Sequence, residues 1–220
     1  MEQCRYKLVI FDMDGTILNT LEDLADSINY ALRENGFAER TMDEVRKFVG
    51  NGIGKLVERA VPEKTGQAEK ERVYDSFTAY YKVHCADKTR PYDGIEELLK
   101  SLREAGCMTA VVSNKADYGV QALCADYFPG LFDVAVGERP GICRKPSPDS
   151  VNEVLARLHV SSGEAVYIGD SDVDVETAKN AGLPCIAVEW GFRDKDFLLA
   201  HGADVIVSEP RQILEKVRCN

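Results

Sequence analysis

Beyond residue 90, short apolar runs rich in β-branched residues alternate with amphipathic stretches of helical period, and this alternation constrains the fold of the chain most. Residues 108–112, 132–136, 165–168, 184–188 and 203–207 read as strands. Between them lie helical patterns: Ile95, Leu98, Leu99 and Leu102 ending at Gly106, then residues 118–126, a helix opened by Ser147 as N-cap with Pro148 at its first position, residues 173–181, and a C-terminal helix from about Pro210. Strands that alternate with helices form a parallel sheet covered on both faces. Such a sheet gathers ligands at the carboxyl ends of its strands.

The polar residues obey that rule. The run 6–11 reads as a further buried strand, and it leads directly into Asp12-Met13-Asp14-Gly15-Thr16. Gly15 permits a tight exit from the sheet. Two carboxylates two residues apart point the same way while strand geometry persists, and they repel unless a cation lies between them. Oxygen ligands alone suit Mg²⁺. A plain Asp-Gly turn would have the same composition, so the other strand ends decide. Ser113-Asn114, Lys145-Pro146 and Gly169-Asp170 also stand at strand ends or helix starts of the same alternation.

The span 16–86 differs in texture and carries no strand signal. Leu21, Leu24, Ala25, Ile28 and Leu32 recur at helical spacing, with Thr20 as N-cap and Gly36 as the stop. Thr41 caps a short helix reaching Phe48, and Gly50-Asn51-Gly52-Ile53-Gly54 is a turn. Leu56, Val57 and Ala60 mark a helix broken by Pro62, and residues 68–84 form a last helix with Val73, Phe77, Tyr80 and Tyr81 on its apolar side. The span is an all-helical insert. The expected division is a Rossmann-like core from residues 1–15 and 87–220, with a helical domain at 16–86.

Charge and cysteines exclude several functions. A net charge of −10 argues against broad nucleic-acid or acidic-membrane binding. No apolar run is long enough to span a bilayer, and the first residues lack a signal-peptide layout. The seven cysteines are scattered without a Cys-x-x-Cys pair, as expected of reduced thiols in a cytoplasmic protein. Both a monomer and a homodimer are compatible with the sequence.

The four motifs in order, Asp12-Met13-Asp14-Gly15-Thr16, Ser113-Asn114, Lys145-Pro146 and Gly169-Asp170-Ser171-Asp172-Val173-Asp174, make the chain resemble the haloacid dehalogenase-like superfamily of phosphohydrolases. The helical insert between the first and second motifs resembles that family's cap. The resemblance implies a Rossmann-like three-layer α/β core, Mg²⁺ as cofactor and phosphoryl transfer through an aspartyl-phosphate. It makes Asp12 the nucleophile, since an ionised carboxylate attacks phosphorus without first losing a proton. Asp14 becomes the general acid and base. Thr16, Ser113 and Asn114 become phosphate ligands, although Ser and Asn equally favour helix caps. Lys145 neutralises the nucleophile and the phosphoryl group. The metal falls to Asp12, Asp14 and Asp170, with Asp14 offering its backbone carbonyl. Asp172 reads as a helix cap, and Asp174 ranks below Asp170. Lys115 follows the Ser-Asn pair and matches no catalytic position of the family.

The insert bears on the substrate. Residues 49–60, with the glycine turn followed by Lys55 and Arg59, resemble the cap segment of phosphoglycolate phosphatases. The Gly-x-Gly-x-Gly string follows no strand, so it fails as a dinucleotide fingerprint. Lys55 and Arg59 lie four apart on one helix face and are the expected readers of an anionic substrate end; pairing with Glu58 or Glu63, or solvation, is the competing expectation. The partner is thus a small phosphorylated metabolite. Two alternatives stand beside this phosphatase. A β-phosphoglucomutase-like mutase has Val where this chain has Thr16 and His where it has Leu24. A catalytically silent Mg²⁺-binding protein would not need both Asp12 and Asp14.

Overall fold

The computed structural model describes residues 4–218. The chain divides into two compact units, one running to Leu18 and resuming at Pro91, the other spanning Asn19–Arg90. Elements in chain order begin with β1 (Leu8–Phe11) and the two-residue β2 (Leu18–Asn19). Four helices follow: α1 (Leu21–Glu34), α2 (Met42–Phe48), α3 (Ile53–Ala60) and α4 (Gln67–His84). Then come β3 (Arg90–Pro91), α5 (Ile95–Glu104), β4 (Met108–Ala116), α6 (Asp117–Tyr127), β5 (Val134–Glu138) and α7 (Asp149–Leu158). The last are β6 (Ala165–Gly169), α8 (Asp172–Ala181), β7 (Cys185–Val188), α9 (Lys195–Ala200), β8 (Val205–Val207) and α10 (Pro210–Val217).

In the first unit six strands form one sheet in the order β5-β4-β1-β6-β7-β8, every pair parallel. The apolar run Leu8–Phe11 supplies a strand buried on both faces, as a central parallel strand requires. Val9 and Phe11 face a core shared with Leu98 and Leu102 of α5, Val120 of α6 and Ile213 of α10. Leu8 and Ile10 face the opposite layer, with Val151 and Val154 of α7 and Ala178 of α8. The order in the sheet reverses at β1: the chain moves outward to β4 and β5, then returns to β6 on the other side. The carboxyl ends of β4, β1 and β6 therefore meet at a topological switch point, where ligands of such sheets bind.

The second unit packs α1 against α4. Ile28 and Leu32 from α1 and Val73, Phe77 and Tyr81 from α4 are buried, and Tyr30 stacks on Tyr80 at 4.1 Å between ring centroids. Thr41 caps α2 through a reciprocal box, accepting from Glu44 N–H at 3.3 Å while Glu44 accepts from Thr41 N–H at 2.8 Å.

Local expectations shift in four places. Thr20 occupies the N-cap position of α1, but its hydroxyl is buried without a hydrogen bond among the described residues; the Asn19 side chain accepts from Leu21 N–H at 3.4 Å instead. The helix expected from Ser147 begins at Asp149, with Pro148 at the cap position and Ser147 Oγ accepting from Asp149 N–H. Pro148 has no N–H to lose at either place, so the sequence pattern tolerates both registers. β4 continues past Val112 to Ala116, with a register shift against β5. Ser113 and Asn114 thus lie within a bulged strand end and do not cap α6. Finally, β2 and β3 pair with each other where the chain crosses between the units. Two residues give no periodicity, so neither strand is visible in the pattern.

Candidate active site

Gly15 and Gly169 set the spacing at the strand ends. Gly15 has φ +85°, and a Cβ there would stand 2.4 Å from Asp170 Oδ2. A Cβ on Gly169 would stand 2.2 Å from that of Asp174. These close approaches let Asp12, Asp170 and Asp174 each offer a carboxylate oxygen within 4.8 Å of one another.

Lys145 lies among them. Its ammonium is 2.9 Å from Asp12 Oδ1 and 2.8 Å from Asp174 Oδ1, and it also donates to Tyr167 Oη at 3.1 Å. Tyr167 in turn donates to the Val112 carbonyl at 3.1 Å. Burial alone would depress the Lys145 ammonium, but Asp12 and Asp174 outweigh it and hold the group well above its ordinary value. The backbone of Lys145 is fixed by Asn114, whose amide nitrogen donates to the Lys145 carbonyl at 3.1 Å while its oxygen accepts from Lys145 N–H at 2.8 Å. The Asn114 side chain therefore clamps Lys145. That task was not legible from the sequence, which suggested a phosphate ligand.

The Asp12 carboxylate is oriented by one oxygen only. Oδ1 accepts from Met13 N–H at 2.7 Å and from Lys145; Oδ2 has no hydrogen bond among the described residues. Burial pushes the Asp12 carboxyl up to about 7, Lys145 opposes that rise, and Asp174 and Asp14 add to it. Asp170 is also raised well above its usual range by burial and by Asp174 and Asp12, against the Phe192 N–H at 2.7 Å and the Thr16 hydroxyl at 3.2 Å that both donate to it.

Asp174 is more central than its sequence rank suggested. Oδ2 accepts from Asp170 N–H, Ser171 N–H and Ser171 Oγ at 3.2, 3.1 and 2.6 Å, and Oδ1 accepts from Lys145. Both of its oxygens are engaged within the protein. Asp172 does not cap α8: it is the first helical residue, and Arg193 approaches it at 3.8 Å. The Asp14 carboxylate stands outside the cluster of Asp12, Asp170 and Asp174 carboxylates; the metal role expected of Asp14 is that of its backbone carbonyl. Asp14 Oδ1 accepts from Lys115 Nζ at 3.0 Å, which gives a place in the site to a lysine the motif order left out. Ser113 is buried, and its hydroxyl accepts from Lys115 N–H at 3.3 Å. A short polar run after a strand was the one available signal for Lys115.

Lys55 and Arg59 belong to the helical unit. Lys55 pairs with Glu58 at 2.6 Å, the competing expectation for that residue. Arg59 donates to the Phe48 carbonyl and to Asn51 Oδ1 at 2.7 and 2.8 Å, and so pins the glycine turn.

The donor set fits a hard divalent cation. Three carboxyl groups face one ammonium, so their full ionisation leaves two negative charges in excess that a divalent cation would balance, and every ligand atom offered is oxygen. Asp174 Oδ2 already accepts from three donors and its Oδ1 from Lys145, whereas each Asp170 oxygen accepts from one donor and Asp12 Oδ2 from none among the described residues, so Asp12 and Asp170 keep lone pairs for a cation.

An α/β sheet with this carboxylate–lysine cluster at its switch point defines a class of hydrolase. Residues 9–188 match the model of the haloacid dehalogenase-like hydrolases, and the chain belongs to that family. It is a phosphoric monoester hydrolase acting on a small phosphorylated substrate. The phosphoglycolate phosphatase of Mesorhizobium japonicum is 32% identical over 194 residues, 86% of this chain and 85% of the relative. The N-acetylmuramic acid 6-phosphate phosphatase of Pseudomonas aeruginosa is 33% identical, covering 98% and 96%. A crystal structure of a candidate phosphoglycolate phosphatase from Lactobacillus delbrueckii subsp. bulgaricus superposes with a TM-score of 0.94 at 41% identity, covering all of both chains. Among the described residues no helix is long and apolar enough to cross a membrane, and the described cysteines are free thiols.

Proposed function

We propose that this chain is a Mg²⁺-dependent phosphatase for a small anionic phosphomonoester of the 2-phosphoglycolate kind, and that Asp12 carries the phosphoryl group between the two half-reactions. The observation that carries the proposal is the asymmetric Asp12 carboxylate: Oδ1 is tied to Met13 N–H and Lys145, while Oδ2 has no hydrogen bond among the described residues. A nucleophile held by one oxygen presents the other in a fixed direction, which is how positioning lowers a barrier.

In the first half-reaction Asp12 Oδ2 attacks phosphorus. The bond from phosphorus to the ester oxygen breaks as the acyl-phosphate bond forms, and the Asp14 carboxyl gives its proton to the departing oxygen. In the second, the Asp14 carboxylate takes a proton from water as that water attacks phosphorus. Inorganic phosphate leaves and Asp12 returns as a carboxylate. Lys145 neutralises the charge gathered at Asp12 and the phosphoryl oxygens through both steps. Ser113 offers its hydroxyl to those oxygens, the Thr16 hydroxyl acts by donating to Asp170, and Asn114 acts by holding Lys145. Asp12 and Asp170, with the Asp14 backbone carbonyl, would hold Mg²⁺, which supplies Lewis-acid neutralisation of the phosphoryl group. The helical unit is assigned the role of a cap over the chemistry, with Lys55 and Arg59 as its candidate contacts to the far end of the substrate.

The substrate assignment is supported by the phosphoglycolate phosphatases among the relatives. Phosphate release from 2-phosphoglycolate tests it. Turnover should stop on chelation, return with Mg²⁺, and return poorly with Ca²⁺, whose larger and looser shell suits this site less. Full turnover in metal-free protein, verified by elemental analysis, contradicts the metal assignment.

A further inference from the structure

We propose that Lys115 is the positioning residue of Asp14, holding the acid–base carboxylate in line with the ester oxygen; this rests on the acid–base role given to Asp14 above. Lys115 and Asp14 are 101 residues apart in sequence, yet Nζ stands 3.0 Å from Oδ1. Only 6% of the Lys115 side chain and 20% of the Asp14 side chain are exposed. A lysine free to choose keeps its ammonium in water. This one is buried against Asp14 Oδ1, an oxygen that accepts from the ammonium whether the carboxyl is ionised or carries a proton on Oδ2.

The surrounding backbone delivers the ammonium to a fixed point. Lys115 sits in the bulged end of β4, and its N–H donates to Ser113 Oγ. The end of β5 closes on it so tightly that a Cβ on Gly137 would stand 2.5 Å from the Lys115 carbonyl oxygen. Gly137 N–H donates to Asp117 Oδ1 at 2.8 Å, which ties β5 to the first turn of α6. The aliphatic stem then runs beside Gly119, where a Cβ would meet Cε at 3.6 Å. Two ammonium groups thus hold the reacting pair: Lys145 holds the nucleophile, and Lys115 holds its acid–base partner.

A positioning role predicts a dependence on the leaving group that a general structural role does not. Proton donation from Asp14 matters where the departing oxygen is an alkoxide and matters little where it is p-nitrophenolate, a stable anion. General acid catalysis contributes about 10²–10⁴-fold where it is needed. The experiment compares rates of the first phosphoryl transfer alone, measured by the pre-steady-state burst of p-nitrophenolate and by single-turnover consumption of 2-phosphoglycolate and of 2-hydroxyethyl phosphate. In Lys115→Met the aryl-to-alkyl rate ratio should rise about tenfold or more for both alkyl esters. Lys115→Arg, which keeps the cation, should show a smaller rise. An unchanged ratio, with both rates reduced or both retained, overturns the proposal. A rise confined to 2-phosphoglycolate also overturns it, since that pattern marks a contact with the substrate carboxylate. If Lys115→Met fails to fold by circular dichroism, Lys115→Arg and Lys115→Gln carry the same test. Failure of the underlying phosphatase reading is seen separately, as absence of any p-nitrophenolate or phosphate release by the wild-type protein with Mg²⁺.

Discussion

Lys145 in the sheet unit and Lys55 in the helical unit make ion pairs of nearly equal length, 2.9 and 2.8 Å for the first and 2.6 Å for the second. Their surroundings differ completely. The Lys145 side chain is 2% exposed, and that of Lys55 is 54% exposed. Distance alone would rank them alike. Water screens the exposed pair and competes for both partners, so its net value is small. The buried pair has lost its water, so removing one partner leaves an uncompensated charge. The cluster around Lys145 therefore keeps its charges as an interlocked set, whereas Lys55 and Glu58 are charges that can change singly.

Substitution at both lysines sharpens that contrast, and the largest effect belongs to Lys145. Lys145→Met should destabilise the metal-free protein by about 3–5 kcal/mol, because Asp12 and Asp174 are left facing each other in a buried place. It should also remove nearly all phosphatase activity. Urea unfolding and steady-state rates measure the two effects. Lys55→Met should leave the unfolding midpoint close to that of the wild type. Its effect, and that of Arg59→Ala, belongs to substrate selection: if either cation reads the acidic end, the preference for 2-phosphoglycolate over p-nitrophenyl phosphate should fall about tenfold, the value of a lost charged hydrogen bond. Equal stability losses at Lys145 and Lys55 would break the comparison.

A pH effect of intermediate size follows from the carboxylates. In the folded metal-free protein Asp12 is raised from 3.8 to about 7, and Asp170 is raised as well. The folded state then binds more protons than the unfolded chain across that window, so stability falls as pH rises. The extra stability is fully present below about pH 4 and is lost as pH passes through about 7. Each proton held only by the folded state gives a slope of about 1.4 kcal/mol per pH unit. Asp12→Asn should flatten the slope, and Mg²⁺ should stabilise the protein more at pH 8 than at pH 5. A metal-free protein whose stability rises from pH 5 to pH 8 contradicts this account of the cluster.

The sheet was largely legible in the sequence because a buried parallel strand leaves an uninterrupted apolar run, as in Leu8–Phe11, and its polar exits then stand out. Asp12 and Asp170 were legible for the same reason, each lying at an exit, and Lys145 by its place shortly before the start of α7. What escaped was set by contacts between distant segments. Asn114 resembles a helix cap by type, and only its meeting with Lys145, 31 residues away, makes it a clamp. Asp174 lies inside a helix turn, where its acidity has a local explanation in the helix dipole; its link to Lys145 comes from tertiary packing. Lys115 carried no pattern of its own, since its partner is 101 residues away. The pairing of β2 with β3 escaped because two residues cannot show a period.

The central claim is that Asp12, held by one oxygen, takes the phosphoryl group. The most direct measurement is acid quenching during turnover of 2-phosphoglycolate, followed by borohydride reduction and peptide mass spectrometry, since borohydride converts an aspartyl-phosphate to homoserine. The account predicts homoserine at position 12 in the wild-type protein and none in Asp12→Asn. An unmodified position 12 under conditions where turnover proceeds, or homoserine at 14, 170 or 174, would contradict it.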